Sequence, residues 1–289
     1  MSRLALGSAA FGLDYGISNR RGKVSQEEVS AILAYACSQG IDCIDTSPLY
    51  GESEAVLGAA LKNMASEQFK LVSKLPGGAT VGTIDETIAK SLERLGQNSI
   101  FGYLIHDFAS YRTNPQLFER IRERQEQGVF RKIGFSLYYP SELDMLLDNA
   151  VEFQIIQVPY SLVDRRFESY FETLSKRGVE IHVRSVFLQG LFFLNPDELP
   201  AHFRGIADEL RRFHLIVEQD KRQAADVCLG FALSNPSIAR VVVGVDSLDN
   251  LRMNRVHEKS HSETDPIYEK LEFLSCDDES ILIPSAWPV

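Results

Sequence analysis

Phe69-Lys70-Leu71-Val72-Ser73-Lys74, the helix-patterned stretch from Thr83 to Gly96, and the run from Ile100 to His106 together decide the fold. The first and last pieces are short, mostly apolar and of strand length. Runs of that kind belong to strands buried on both faces. Between them Ile84, Ile88, Leu92 and Leu95 recur at helical spacing, and Thr83 with Glu86 has the spacing of a capping box. Gly96 is placed to end the helix. Strand, helix and strand in this order form a parallel crossover unit.

The unit repeats in both directions. Strand-like runs cover residues 4–7, 41–45, 69–74, 100–106, 130–136, 153–157, 179–184 and 238–244. Ser25 and Glu28 form a second capping-box pattern, followed by Val29, Ile32, Leu33, Ala36 and Cys37 on one face and by Gly40. Leu117, Phe118 and Ile121 precede Gly128, and Phe167, Tyr170, Phe171 and Leu174 precede Gly178. Eight strands alternating with helices predict the α/β class and a closed (β/α)8 barrel, the TIM barrel, as a single domain over residues 1–289. An open doubly wound sheet is the alternative. Its dinucleotide fingerprint Gly-x-Gly-x-x-Gly is missing, since Gly7, Gly12 and Gly16 are spaced differently. The longest gap between strands predicts a loop region over 185–218 and a helix over 219–233. Residues 276–289 read as a C-terminal tail whose Trp287, the only tryptophan, either anchors it over a pocket or packs on the barrel exterior.

Composition narrows the function classes. The chain has 289 residues, 44% hydrophobic, with a formal net charge of −10. The acidic balance argues against a nucleic-acid partner. No apolar run reaches the roughly 18–20 residues that span a bilayer, and the start Met1–Gly7 lacks signal-peptide form. Cys37, Cys43, Cys228 and Cys276 have neither metal-ligand nor redox spacing, which points to free thiols in a reducing cytoplasm and to no metal site.

Four residues combine into a proton-transfer device. In a barrel of this kind function gathers at the C-terminal strand ends. Asp45, Lys74 and His106 end the second, third and fourth strand-like runs, and Tyr50 follows five residues after Asp45. A phenol is a weak acid at neutral pH, and a neighbouring Lys74 cation is expected to lower its pKa. Asp45 would hold Lys74, His106 would orient a carbonyl oxygen, and Tyr50 would give it a proton. The chain supplies no hydride, so a cofactor must.

The segment Asp45-Thr46-Ser47-x-x-Tyr50-Gly51-x-Ser53-Glu54, with Lys74 and His106 at strand ends in this order, resembles the aldo-keto reductase family. The resemblance covers nearly the whole chain. It implies a reductase that takes hydride from NADPH to reduce an aldehyde or ketone, with Asp45, Tyr50, Lys74 and His106 as its tetrad. It also implies that Ser136 and Gln157 bind the nicotinamide carboxamide, Leu137 replacing the usual Asn. Arg184 takes the place of the aromatic that stacks on the nicotinamide. It is left to stack there itself, to bind an anionic group on the substrate, or to pair with carboxylates of the rim. Ser185 and Gly190 bound the pyrophosphate loop, and Gly244, Asp246, Ser247, Asn250 and Asn254 meet the adenosine end. Asp246 stands where a base often holds the 2′-phosphate of NADP, so NAD is open as the cofactor unless Asp246 serves only as a helix N-cap. Two other functions compete: a barrel lyase with a Schiff base on Lys74, and a non-enzymatic nicotinamide sensor.

Overall fold

In the computed structural model, residues 2–17, 19–62, 64, 68–262 and 264–287 are described. Met1 at the start and Pro288 and Val289 at the tail's end lie outside them. Eight parallel strands close into a barrel: β1 (Leu4–Gly7), β2 (Cys43–Asp45), β3 (Lys70–Leu75), β4 (Ile100–Ile105), β5 (Phe130–Ser136), β6 (Ile155–Pro159), β7 (Glu180–Arg184) and β8 (Ile238–Gly244). Closure is through β1, which pairs Leu6 with Ile44 of β2 and Leu4 with Val241 of β8. The chain is therefore the (β/α)8 barrel that its strand–helix alternation predicts.

Helix boundaries follow local chemistry. Ser25 caps the helix Gln26–Ser38 by accepting from the Glu28 amide at 3.3 Å, but only half of the box forms. The Glu28 carboxylate does not return to Ser25. It accepts instead from the amide of Leu248, 2.8 Å away. Thr83 makes no cap at all: its hydroxyl serves the turn, accepting from the Thr80 amide at 3.0 Å. At the other end of that helix Gly96 adopts φ +63 with no atom within 4 Å of where a Cβ would stand. Its left-handed backbone, rather than crowding, is what asks for glycine there.

The segment between β7 and β8 departs from its reading as a loop over 185–218 and a helix over 219–233. It winds through 3-10 turns at Leu188–Phe193, Pro196–Glu198 and Ala201–Ile206 and then forms the helix Ala207–Gln219. Leu210, Phe213 and Val217 bury that helix's inner face, with Phe213 packed edge-on to Phe192 at 5.2 Å. A second helix, Ala224–Ser234, starts only after Lys221, whose φ of +55 breaks the helical path. In the tail, Trp287 donates from Nε1 to the Ile281 carbonyl at 3.1 Å and packs edge-on to Phe203 at 4.7 Å.

The barrel interior is layered. Ala5, Cys43, Val72, Leu104, Ile155 and Val242 form a small apolar cluster of their own, apart from the large core between strands and helices. Below it, toward the strand starts, Asp42 pairs with Lys70 and Arg240 at 2.9 Å each, and Glu180 pairs with Lys132 at 3.0 Å. Above it lies a polar layer at the C-terminal strand ends. The alternation of a strand puts one residue in two into the barrel, so the layer that begins with Cys43 and Val72 continues with Asp45 and Lys74.

Candidate active site

The polar layer is built around a buried ion pair. Lys74 is wholly buried, and its Nζ donates to Asp45 Oδ1 at 2.7 Å and to the Thr46 carbonyl at 2.9 Å. Gln157 Nε2 donates to the same Asp45 oxygen at 2.7 Å. Burial pulls the Lys74 amine below its ordinary value, against the opposing pull of Asp45. A pair this dry is tolerable only because each partner has further hydrogen bonds.

Tyr50 comes down on Lys74 from the loop after β2. Its amide bonds back to the Ser47 carbonyl at 3.0 Å. A Cβ on Gly12 would lie 1.9 Å from the Tyr50 carbonyl oxygen, so the loops after β1 and β2 touch through glycine. Lys74 Nζ stands 3.4 Å from Tyr50 Oη and 5.0 Å from the ring centre. Even so, the phenol does not become a stronger acid. Burial, helped by the Asp45 charge and opposed by Arg184, drives its pKa well above the ordinary value. The expectation that Lys74 would lower it is reversed because desolvation of the phenolate outweighs the cation.

His106 follows β4, its ring edge-on to Tyr50 at 6.0 Å. Its Nδ1 is 3.0 Å from Ser47 Oγ, which already accepts from the Leu49 amide at 3.1 Å. When the Ser47 hydroxyl gives its proton to Nδ1, the imidazole proton sits on Nε2. Burial, with Lys74 and Arg184 adding like charge, pushes His106 down to about 3. The ring is neutral at ordinary pH.

Two motif residues act at one remove. Ser53 donates to the Ser8 carbonyl at 2.9 Å and ties the loop to β1. Glu54, buried to 1%, accepts from Ser73 at 2.7 Å, from Ser91 and from Arg94 at 2.8 Å. It therefore pins β3 beside Lys74.

Above the tetrad opens a cleft of about 410 Å³. Asp45, Tyr50, His106, Arg184, Ser185, Gly190, Gly244, Asp246 and Asn250 are all in its wall. Ser136 and Gln157 lie outside the wall, buried and joined to each other at 3.4 Å. Ser247 and Asn254 are also beneath the wall: Ser247 Oγ accepts from the Asn250 amide at 3.2 Å, and Asn254 donates to the Asn250 side chain at 3.3 Å. Ser247, not Asp246, is the N-cap of the helix Leu248–Ser260. Arg184 lies over the Tyr138 ring at 4.0 Å and donates to the Leu137 carbonyl at 3.1 Å. Among the described residues no carboxylate pairs with it. Ser185, Leu188 and Gln189 hold φ of +64, +45 and +53, and the Gln189 carbonyl accepts from the Ile17 amide at 3.1 Å. Three non-glycine residues in left-handed backbone beside a cleft are a concentration of strain that ordinary loops avoid.

Sequence reasoning passed over Tyr15, Tyr138, Phe187 and Phe193, which also line the cleft. Burial pushes the Tyr15 phenol up to about 12. Tyr138 stands two residues past the end of β5, which is a rim position that strand counting could have found. Tyr15 and Phe193 belong to loops whose path no pattern announces. Among the described residues no cluster of His, Cys, Asp and Glu could hold a metal, and no helix is long and apolar enough to cross a membrane.

Comparison with known proteins agrees with the barrel fold. The Aldo/keto reductase family model matches residues 3–259. The NADH-specific methylglyoxal reductase of Escherichia coli is 27% identical over 83% of this chain and 81% of its own length. An uncharacterized oxidoreductase of Bacillus subtilis, YqkF, is 24% identical over 78% and 80%. Among solved structures, the holo form of an aldo-keto reductase from Bacillus halodurans superposes with a TM-score of 0.75 at 23% identity, covering 95% of this chain and 92% of that one. With the family match spanning nearly the whole barrel, the chain belongs to the aldo/keto reductase family, whose general chemistry is NAD(P)H-dependent carbonyl reduction.

Proposed function

We propose that the protein reduces an aldehyde or ketone to the alcohol, with Tyr50 as the proton donor and a reduced nicotinamide dinucleotide bound along the cleft. The observation that carries this is the meeting of a protonated Tyr50, a buried Lys74 at 3.4 Å and a neutral His106 at a cleft that Tyr50 and His106 line. When bound, the dinucleotide supplies the hydride. The residues supply the rest. His106 Nε2 donates to the carbonyl oxygen and fixes its direction. As negative charge grows on that oxygen, Tyr50 Oη gives up its proton, and Lys74 stabilises the phenolate that remains. A phenol held above its ordinary pKa keeps its proton until that moment.

The wall chemistry fits a dinucleotide. The strained backbone of 185–190 offers donors to a pyrophosphate, and Asn250 with Asp246 offers polar groups to the other half. Ser136 and Gln157 would hold the nicotinamide carboxamide only by exchanging their present mutual bond for it. The family pattern favours NADP. Asp246 and the NADH specificity named for the Escherichia coli relative support NAD. The four free cysteines support a cytoplasmic setting.

Arg184 supports a substrate with an acidic group. It is a cation on the cleft wall without a carboxylate partner among the described residues, and its guanidinium offers a fork of donors. A Schiff base on Lys74 is disfavoured, because its Nζ is wholly buried beneath Tyr50 and committed to Asp45 and Thr46.

Three outcomes follow. Tyr50→Phe should slow hydride transfer in stopped flow at least roughly 100-fold while cofactor affinity holds; transfer at the normal rate would remove Tyr50 as proton donor. The imidazole of His106 is depressed from 6.5 to about 3. Between those values the unfolded chain binds a proton that the folded chain does not, so folding stability falls as pH drops through this window. Urea melts at pH 7 and about pH 5 should show a smaller loss for His106→Gln than for the native protein; equal losses would mean the ring is charged in the fold. Arg184→Tyr should erase a roughly tenfold preference in kcat/KM for an acidic aldehyde over a matched neutral one. A ratio that does not move would show that Arg184 serves Tyr138 alone.

A further inference from the structure

We infer that Glu54 is a positioning residue for the reaction: through Ser73 it sets the distance between Tyr50 and Lys74. The inference rests on the reading of Tyr50 as proton donor. The Lys74–Tyr50 contact of 3.4 Å is longer than the usual range of an N–H···O bond and is too weak to hold itself. The surrounding chain has to keep the phenol over the amine. The loop after β2 carries Tyr50 and runs directly into the helix Ser53–Leu61, with the Ser53 amide bonded to the Tyr50 carbonyl at 3.1 Å. The first two residues of that helix, Ser53 and Glu54, are only 0% and 1% exposed. A glutamate this buried is rare unless it is paired.

Each of the two is tied to the chain neighbour of a tetrad residue. Ser53 Oγ stands 3.1 Å from Thr46 Oγ1, next to Asp45. Glu54 Oε1 accepts from Ser73 Oγ at 2.7 Å, next to Lys74. Strand alternation sends Lys74 into the barrel and Ser73 outward to the helices, where Glu54 meets it. A ring closes: Tyr50, the turn to Glu54, Ser73, Lys74 and back to Tyr50. On the outer side Ser91 and Arg94, both from the helix Ile84–Leu95, fix the same carboxylate, with Arg94 at 2.6 Å. Glu54 is not in the cleft wall, so it acts on the proton transfer only through what it holds.

The test is the single-turnover rate of hydride transfer to a small aldehyde, followed in stopped flow. Ser73→Ala removes one oxygen and leaves Glu54 its bonds to Ser91 and Arg94, so the fold is kept. It should slow transfer about tenfold, since a small misplacement of reacting groups is costly. Cofactor affinity and the melting temperature should stay nearly unchanged. Glu54→Asp keeps the charge but shortens the reach, and should slow transfer by a similar factor. In a Tyr50→Phe background no phenol is left to position, so neither change should slow the reaction further. A native rate for Ser73→Ala, or the same slowing in both backgrounds, overturns the inference and leaves Glu54 a purely structural residue. A Tyr50→Phe protein that transfers hydride at the native rate would instead defeat the proton-donor reading, and the inference with it.

Discussion

A lysine with no exposed surface, bonded to one carboxylate oxygen at 2.7 Å, is the constraint on which this molecule turns. Taking both charges out of water costs more than their attraction returns, and apolar replacements of similar volume are often as stable. The pair is therefore poor evidence of stabilisation. Losing one partner, by contrast, leaves a buried charge alone at a cost of about 3–5 kcal/mol. The surroundings are arranged so that neither is alone: the Thr46 carbonyl and Gln157 complete the shells, and Glu54 holds β3 through Ser73. What the arrangement provides is a fixed cation under a phenol, ready for a negative charge that the resting structure does not contain.

The same burial sets the protonation of everything above the pair. Tyr50 is held protonated and His106 neutral, in both cases with desolvation as the largest cause. A tyrosinate waiting beside Lys74 would be a proton acceptor. The structure has instead a full set of donors facing the cleft, suited to an oxygen that is about to become negative. A cation, Arg184, and a carboxylate, Asp246, stand in the same cleft wall.

The barrel was legible because its signal is redundant. Eight apolar runs with periodic helices between most of them leave few topologies, and an error of two residues at the start of β2 or β6 changes nothing. The tetrad was legible because strand ends in a barrel face one rim, so Asp45, Lys74 and His106 converge by topology alone. Other features were decided by tertiary contacts that no local pattern encodes. The partner of Glu28 lies 220 residues away. The sign of the Tyr50 shift depends on how much water the loops exclude, not on which residue is nearest. The helix Ala207–Gln219 is periodic at Leu210, Phe213 and Val217, but the expectation of a loop outweighed the pattern. Tyr15 and Phe193 reach the cleft on loop paths that only the folded chain fixes.

The central claim is that hydride reaches a carbonyl carbon in this cleft. The most direct measurement uses NADH or NADPH carrying deuterium at the transferable position, with a small aldehyde and the native protein, and follows the product by mass spectrometry. The account predicts an alcohol with one deuterium on the carbinol carbon and a matching amount of oxidised cofactor. Cofactor that binds without any labelled alcohol, or an alcohol that forms without label, would contradict it.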